Sequence, residues 1–253
     1  MRFASLGSGS RGNALVVEAG NTRVLIDAGF GPREMTRRLE RLGLAANDIA
    51  AVLVTHEHSD HIGGVFACAR RLGWTVLLTH GTRAASRDDD ANACSTVIDS
   101  QQPFSVGDLC VLPFPVPHDA REPVQFVLTD GTRRLGVLTD AGHVTPHMVA
   151  MLDDCDGLVL ECNHDAQLLA MGSYPPALKR RIGGLWGHLD NAAAATLLSQ
   201  LRRSSLRHVV AAHLSEENNS PALAQEALSA VLDCNPEWIG IATQNGGFGW
   251  RDL

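Results

Sequence analysis

Val54-Thr55-His56-Glu57-His58-Ser59-Asp60-His61 places three histidines and Asp60 within six consecutive positions, directly behind the apolar run Ala51-Val52-Leu53-Val54. Neutral imidazole is the commonest nitrogen ligand for zinc and similar metals, and an interleaved aspartate supplies a hard oxygen, so this spacing can serve two adjacent cations. The run before it predicts a buried strand, and residues 65–72, after Gly63-Gly64, predict a helix. Strand, ligand-rich turn and helix put the histidines at a strand's carboxyl end, where open α/β sheets carry their sites. An ordinary solvated loop would draw on Gly, Asn, Asp and Ser rather than His.

The same pattern recurs along the chain. Asp27 closes the apolar stretch 23–26, and Asp140 closes 134–139. A lone carboxylate in either place is costly unless it is hydrogen-bonded or near a cation. Cys162-Asn163-His164-Asp165 follow residues 157–161, and His213 follows 207–212. His118 follows 109–116, where Pro113 and Pro115 predict an edge strand or an extended segment. Strands that repeatedly end in His or Asp predict that those ends converge.

With 253 residues and no linker, the chain is expected to form one domain over residues 1–253. The net charge of −7 argues against a general polyanion binder, so any nucleic-acid contact must be local. The six cysteines form no CxxC pair and are expected to be reduced, mostly core residues. No apolar run approaches membrane-spanning length and the N-terminus lacks a leader pattern, which predicts a cytoplasmic protein with no membrane partner. The glycine-rich stretch 7–13 runs strand to strand, which favours a hairpin over a phosphate cradle. Arg33, Arg37, Arg38 and Arg41 lie largely off the apolar face of a helix from Pro32 and are expected to be solvated. Residues 86–100, including Asp88-Asp89-Asp90, are expected to be a surface excursion, and the C-terminal strands to close the sheet without adding to the site.

His56-Glu57-His58-Ser59-Asp60-His61 resembles the HxHxDH signature of the metallo-β-lactamase superfamily, and with Asp27, His118, Asp140 and His213 the chain resembles all five of its motifs in order. The resemblance implies an α/β fold, the four-layer αββα metallo-β-lactamase sandwich, with two mixed sheets face to face. It also implies two divalent metal ions. His56, His58 and His118 would hold one, Asp60, His61 and His213 the other, with Asp140 bridging. Asp27 would support the histidine loop from behind, and His164 would stand behind the ligands. Donors without a thiolate suit manganese or zinc.

Ser5 to Asn13, Glu161-Cys162-Asn163-His164-Asp165, the segment 171–181 and Gly187-His188-Leu189-Asp190-Asn191 resemble the YycJ-like (WalJ-like) subfamily, which is associated with 5′-to-3′ exonuclease activity on double-stranded DNA. The chain departs from that pattern at Gly7, Arg11, Cys162 and Asp190, where Ser, Ser, Ala and Ser are commoner. Asp190 is expected to set an anion beside His188 that weakens phosphate binding there.

The mechanism implied is hydrolysis of a phosphodiester in DNA or another substrate. A metal pair held by these residues would lower the pKa of a bound water, and the hydroxide so supplied would attack phosphorus. Asp60 and His188 are the implied catalytic residues, with His188 protonating the departing oxygen or contacting phosphate, as a similarly placed histidine does in ribonuclease-Z-like members. Lys179-Arg180-Arg181 is the densest cationic cluster, read either as a solvated helix face or as a phosphate-backbone contact. Two alternatives stand beside this reading. One is a hydrolase of a cyclic phosphodiester, lactone or thioester; the other is a regulatory module without turnover.

Overall fold

Short runs rich in Val, Leu and Ile, bounded by Gly, Asp and Pro, form fourteen strands in the computed structural model, which describes residues 1–88 and 91–253. Of the acidic triplet, Asp89 and Asp90 lie outside the described residues. In chain order the strands are β1 (Arg2–Gly7), β2 (Ala14–Ala19), β3 (Thr22–Ile26), β4 (Ala51–Leu53), β5 (Thr75–Thr79), β6 (Ser95–Ile98), β7 (Phe104–Val106), β8 (Leu109–Pro115), β9 (Val124–Thr129), β10 (Arg134–Leu138), β11 (Gly157–Glu161), β12 (His208–Ala212), β13 (Gly240–Ile241) and β14 (Phe248–Asp252). The helices are α1 (Pro32–Arg41), α2 (Ser59–Ile62), α3 (Val65–Leu72), α4 (His80–Ala85), α5 (Ala91–Cys94), α6 (Pro146–Leu152), α7 (Ala166–Met171), α8 (Pro176–Ile182), α9 (Asn191–Gln200) and α10 (Pro221–Leu232).

Two seven-stranded sheets result, in the orders β14-β1-β2-β3-β4-β5-β6 and β13-β12-β11-β10-β9-β8-β7. Both are mixed. In the first, β3 to β6 run parallel, and in the second, β10 to β13 run parallel. Each strand alternates its side chains between two faces, so both faces of each sheet must be covered. Phe3, Val17, Ile26, Leu53, Phe126 and Val137 fill the space between the sheets. Met35 and Leu39 of α1, with Val65 and Cys68 of α3, cover the outside of the first sheet. Leu152 of α6, Leu197 and Leu198 of α9, and Leu228 of α10 cover the outside of the second. Three apolar layers between four layers of structure make the expected αββα sandwich, and each fully buried Phe or Leu contributes roughly 1.5–3 kcal/mol. Among the described residues, no helix is long and apolar enough to cross a membrane.

Three local expectations change. Residues 95–98 are β6, paired parallel with β5, rather than part of a surface excursion. The strand β8 is not at the edge, because β7 covers it. That cover ends at Val111, so Pro113 and Pro115, which have no N–H to donate, lie where β8 pairs only with β9. Finally, Arg38 is buried rather than solvated. Its guanidinium stacks on Phe30, 3.8 Å from the ring centroid, and bonds the carbonyls of Leu6, Gln244 and Asn245. Arg38 therefore ties α1 to the glycine-rich turn and to the C-terminal loop.

Candidate metal centre

The carboxyl ends of β3, β4, β8, β10 and β12 meet along one edge of the sandwich and bring together Asp27, the histidine turn, His118, Asp140 and His213, whereas Asp165 behind β11 caps α7. Asp27 and His213 follow their strands at φ 62° and 54°, in the left-handed region that ordinary residues avoid. Such conformations persist where surrounding bonds over-determine them. The Asp27 amide donates to Leu53 O and the His213 amide to Ser8 Oγ, each within 2.9 Å. The histidine turn is packed tightly from below, since a Cβ on Gly29 would meet Asp60 O at 1.9 Å.

Asp27 organises the turn. Its carboxylate accepts the Thr55 amide at 2.8 Å and the Thr55 hydroxyl at 2.9 Å, and lies 2.7 Å from His61 Nδ1. That contact turns His61 Nε2 toward Asp140 Oδ2 at 3.1 Å and Asp60 Oδ2 at 3.3 Å. His118 is oriented in the same way, with Nδ1 2.8 Å from Gly187 O and Nε2 3.2 Å from His58 Nδ1. Fixing one ring nitrogen on an oxygen and leaving the other inward is how proteins orient metal-binding imidazoles. His213 Nε2 stands 3.2 Å from Asp60 Oδ2 and 3.8 Å from Asp140 Oδ1.

Three groups of donors have ligand atoms within 4.8 Å of one another: His56, His58 and His118; Asp60, His61 and His213; and His56, His61 and Asp140, which joins the other two. A fourth contains Asp140, Glu161, His188 and His213. Buried His56 Nε2 and Asp140 Oδ2 have no hydrogen-bond partner, although Asp140 Oδ2 touches His61. Buried polar atoms are nearly always bonded, so such exceptions require an explanation. The electrostatics agree. Burial, reinforced by His61, holds His56 well below its usual pKa, and burial with His188 lowers His118 to about 4. At His61 and His213 burial is outweighed by Asp140 and Asp60, which raise both rings. Burial opposes ionisation of Asp60 and Asp140, yet the facing imidazoles push both carboxyls down. Imidazole nitrogens and carboxylate oxygens converging without a thiolate form a donor set for divalent metal ions.

The structure also shows partners that the sequence reading left out. Glu161 is fully buried, and burial raises its carboxyl pKa. It lies 2.7 Å from His188 Nδ1 and accepts the amides of Ala141 and Leu189. His188 Nδ1 is also 3.3 Å from Asp140 Oδ1; against burial, Glu161 and Asp140 raise His188 to about 10. Asn13 bonds Asp60 Oδ2 at 3.2 Å, and Asn163 lies 3.2 Å from His213 Nδ1. A buried Glu ending an apolar strand was the available signal for Glu161, and Asn163 lies in the polar stretch after the same strand; nothing local marked the contact of Asn13.

Other expected site residues lie around this centre. His164 is buried with Nδ1 unbonded, and the Asp190 carboxylate caps α9 by accepting the Ala193 amide at 2.6 Å. Lys179, Arg180 and Arg181 lie on α8 but do not act as one patch. Lys179 donates to Ala170 O, and Arg181 to Asp119 Oδ2 at 2.6 Å. Asp119 in turn stands 3.6 Å from His58 Nε2 and 3.5 Å from His118 Nε2, so Arg181 reaches the rim of the centre. Among the described residues, no disulfide joins any of the cysteines.

A sandwich of two mixed sheets with an imidazole and carboxylate centre at one edge defines the metallo-β-lactamase fold. The Beta-lactamase superfamily domain model matches residues 22–214, and the chain belongs to that superfamily. Within it, the chain is 36% identical over 248 residues to Exodeoxyribonuclease YycJ of Bacillus anthracis, covering 96% of this chain and 93% of that protein. It is 33% identical to Exodeoxyribonuclease WalJ of Streptococcus pneumoniae, covering 95% and 91%. Zn(2+)-bound PqqB from Methylobacterium extorquens shares the fold with a TM-score of 0.72 at 18% identity, over the whole of both chains.

Proposed function

We propose that this protein is a single-domain, metal-dependent exodeoxyribonuclease that hydrolyses DNA phosphodiesters in the 5′-to-3′ direction in the cytoplasm. The observation that carries it is the match, over nearly the full chain, to proteins named for exodeoxyribonuclease activity, together with the complete set of donors. That match favours DNA over a small-molecule ester, and a fully assembled donor set argues against a module without turnover.

His56, His58 and His118 would hold one zinc or manganese ion, Asp60, His61 and His213 a second, and Asp140 both. When bound, such a pair makes water a nucleophile at neutral pH and neutralises charge on the phosphate. The chain's own groups do the rest. Asp27 and Gly187 O fix the rings of His61 and His118, and Asn13 orients Asp60. His188, held by Glu161 and with a 17% exposed side chain, delivers a proton to the leaving oxygen. Arg180 and Arg181 contact the backbone phosphates, with Arg181 exchanging Asp119 for phosphate, while Lys179 holds α8 against α7.

The test is incubation of purified protein with end-labelled duplex DNA and, separately, a generic phosphodiester, with manganese and then with chelator. Manganese-dependent, chelator-sensitive shortening of the duplex is expected. Ester turnover with intact DNA would overturn the nuclease reading.

A further inference from the structure

Leu185 and Trp186 stand 67% and 60% exposed on the loop between α8 and α9. Their side chains are open, but their backbone is fixed at several points. Trp186 O accepts the Asp119 amide at 2.9 Å, Leu185 O lies 2.9 Å from His143 Nδ1, and Gly187 O lies 2.8 Å from His118 Nδ1. The His188 amide donates to Ile182 O at 2.8 Å, closing the loop on itself. Glycine is needed where the loop lies closest to its neighbours: a Cβ on Gly142 would meet Leu185 O at 2.2 Å, and one on Gly187 would meet Ile182 O at 2.1 Å. The indole therefore projects from a rigid platform that also carries the carbonyl orienting His118 and, two residues on, His188.

We propose that Trp186 is a substrate-binding residue that stacks on the nucleobase beside the scissile phosphate. The inference rests on the nuclease reading above. Trp186 and Arg181 both bond Asp119, which stands 3.6 Å from His58 Nε2 and 3.5 Å from His118 Nε2, so a phosphodiester lying between His188 and the His56–His61 turn would have its base within their reach. Net charge sharpens the need for such a contact. A chain of −7 gains little from long-range attraction to DNA, whereas stacking is tolerant of salt and of base identity.

Steady-state kinetics of the manganese-loaded full chain test this on a blunt duplex and on the same duplex with an abasic 5′-terminal nucleotide. Trp186→Ala should lower kcat/KM on the normal duplex by about 5- to 140-fold, the stacking energy of one base converted at ~1.4 kcal/mol per tenfold. Trp186→Phe should restore most of that loss. On the abasic end, the wild type and Trp186→Ala should be equal, since there is no base to stack. Equal activity on the normal duplex would overturn the proposal. So would the same loss on both substrates, or a change of oligomeric state in Trp186→Ala on size-exclusion chromatography. A wild type that leaves both duplexes intact would overturn the nuclease reading itself, a result distinct from these.

Discussion

Replacing Asp27 by asparagine tests how the histidine turn is held without altering any proposed ligand. Asparagine keeps the side chain's shape and tolerates the left-handed backbone that Asp27 adopts at φ 62°. It removes one acceptor oxygen from a carboxylate that serves the Thr55 amide, the Thr55 hydroxyl and His61 Nδ1. Whichever way the amide turns, one of these loses its acceptor or faces a second donor. A hydrogen bond to a charged group contributes ~1.5–3 kcal/mol, and each kcal/mol moves the Tm of a chain this size by ~2–4 °C, so Asp27→Asn should melt about 3–12 °C lower. Freed from Asp27, the His61 ring samples other orientations, and loss of such an outer partner typically weakens metal binding ~10–100-fold. Thermal melts and a zinc titration against a competing chelator measure the two effects. Wild-type metal affinity alongside a lowered Tm would refute the reasoning, making Asp27 a support of the fold alone.

Other variants separate chemistry from architecture. His188→Ala should retain the full metal content while losing ~10²–10⁴-fold in turnover, because the proton donor is gone and the ligands remain; metal analysis and kinetics on one preparation decide it. Arg38→Leu should cost about 2 kcal/mol, since the carbonyls of Leu6, Gln244 and Asn245 lose a buried donor, and should appear as a lower denaturation midpoint. Glu34 is hydrogen-bonded by Arg37, which outweighs the opposing effect of burial, and with help from Arg38 its carboxyl falls from 4.5 to about 2. Its stabilising contribution is therefore present above 4.5 and lost as pH falls through about 2, so the stability gap between wild type and Glu34→Gln should close across that window in denaturant titrations. Burial raises the Cys68 thiol to about 12 and that of Cys155 to about 11, so alkylation of the native protein at pH near 8 should spare both until it unfolds.

Much of this architecture could be read before any coordinates, because the strands are short, apolar and sharply ended. Each carboxyl end carries a polar residue that an apolar strand has no local reason to keep. Asp27, His118, Asp140 and His213 stood out for that reason, and their meeting at one edge is what a sheet with parallel strands produces. What escaped the reading depends on distance along the chain. Arg38 looks solvated on a helical wheel, but its long side chain reaches carbonyls of residues 6, 244 and 245 that fold beside it. Residues 95–98 are polar enough to pass for loop and become β6 only because β5 offers an open edge. Asp190 stands two residues from His188, and that its carboxylate caps α9 through the Ala193 amide emerges only from the fold. Asn163 stood in the polar stretch behind an apolar strand, but its partner, like that of Asn13, lies far along the chain.

Titration of the metal-free protein with manganese, following release of label from the 5′ end of a duplex after each addition, tests the central claim most directly. The donor groups around Asp140 predict no release without metal and activity that saturates at two equivalents per chain. Release of the label without metal, or saturation at a single equivalent, would contradict the account.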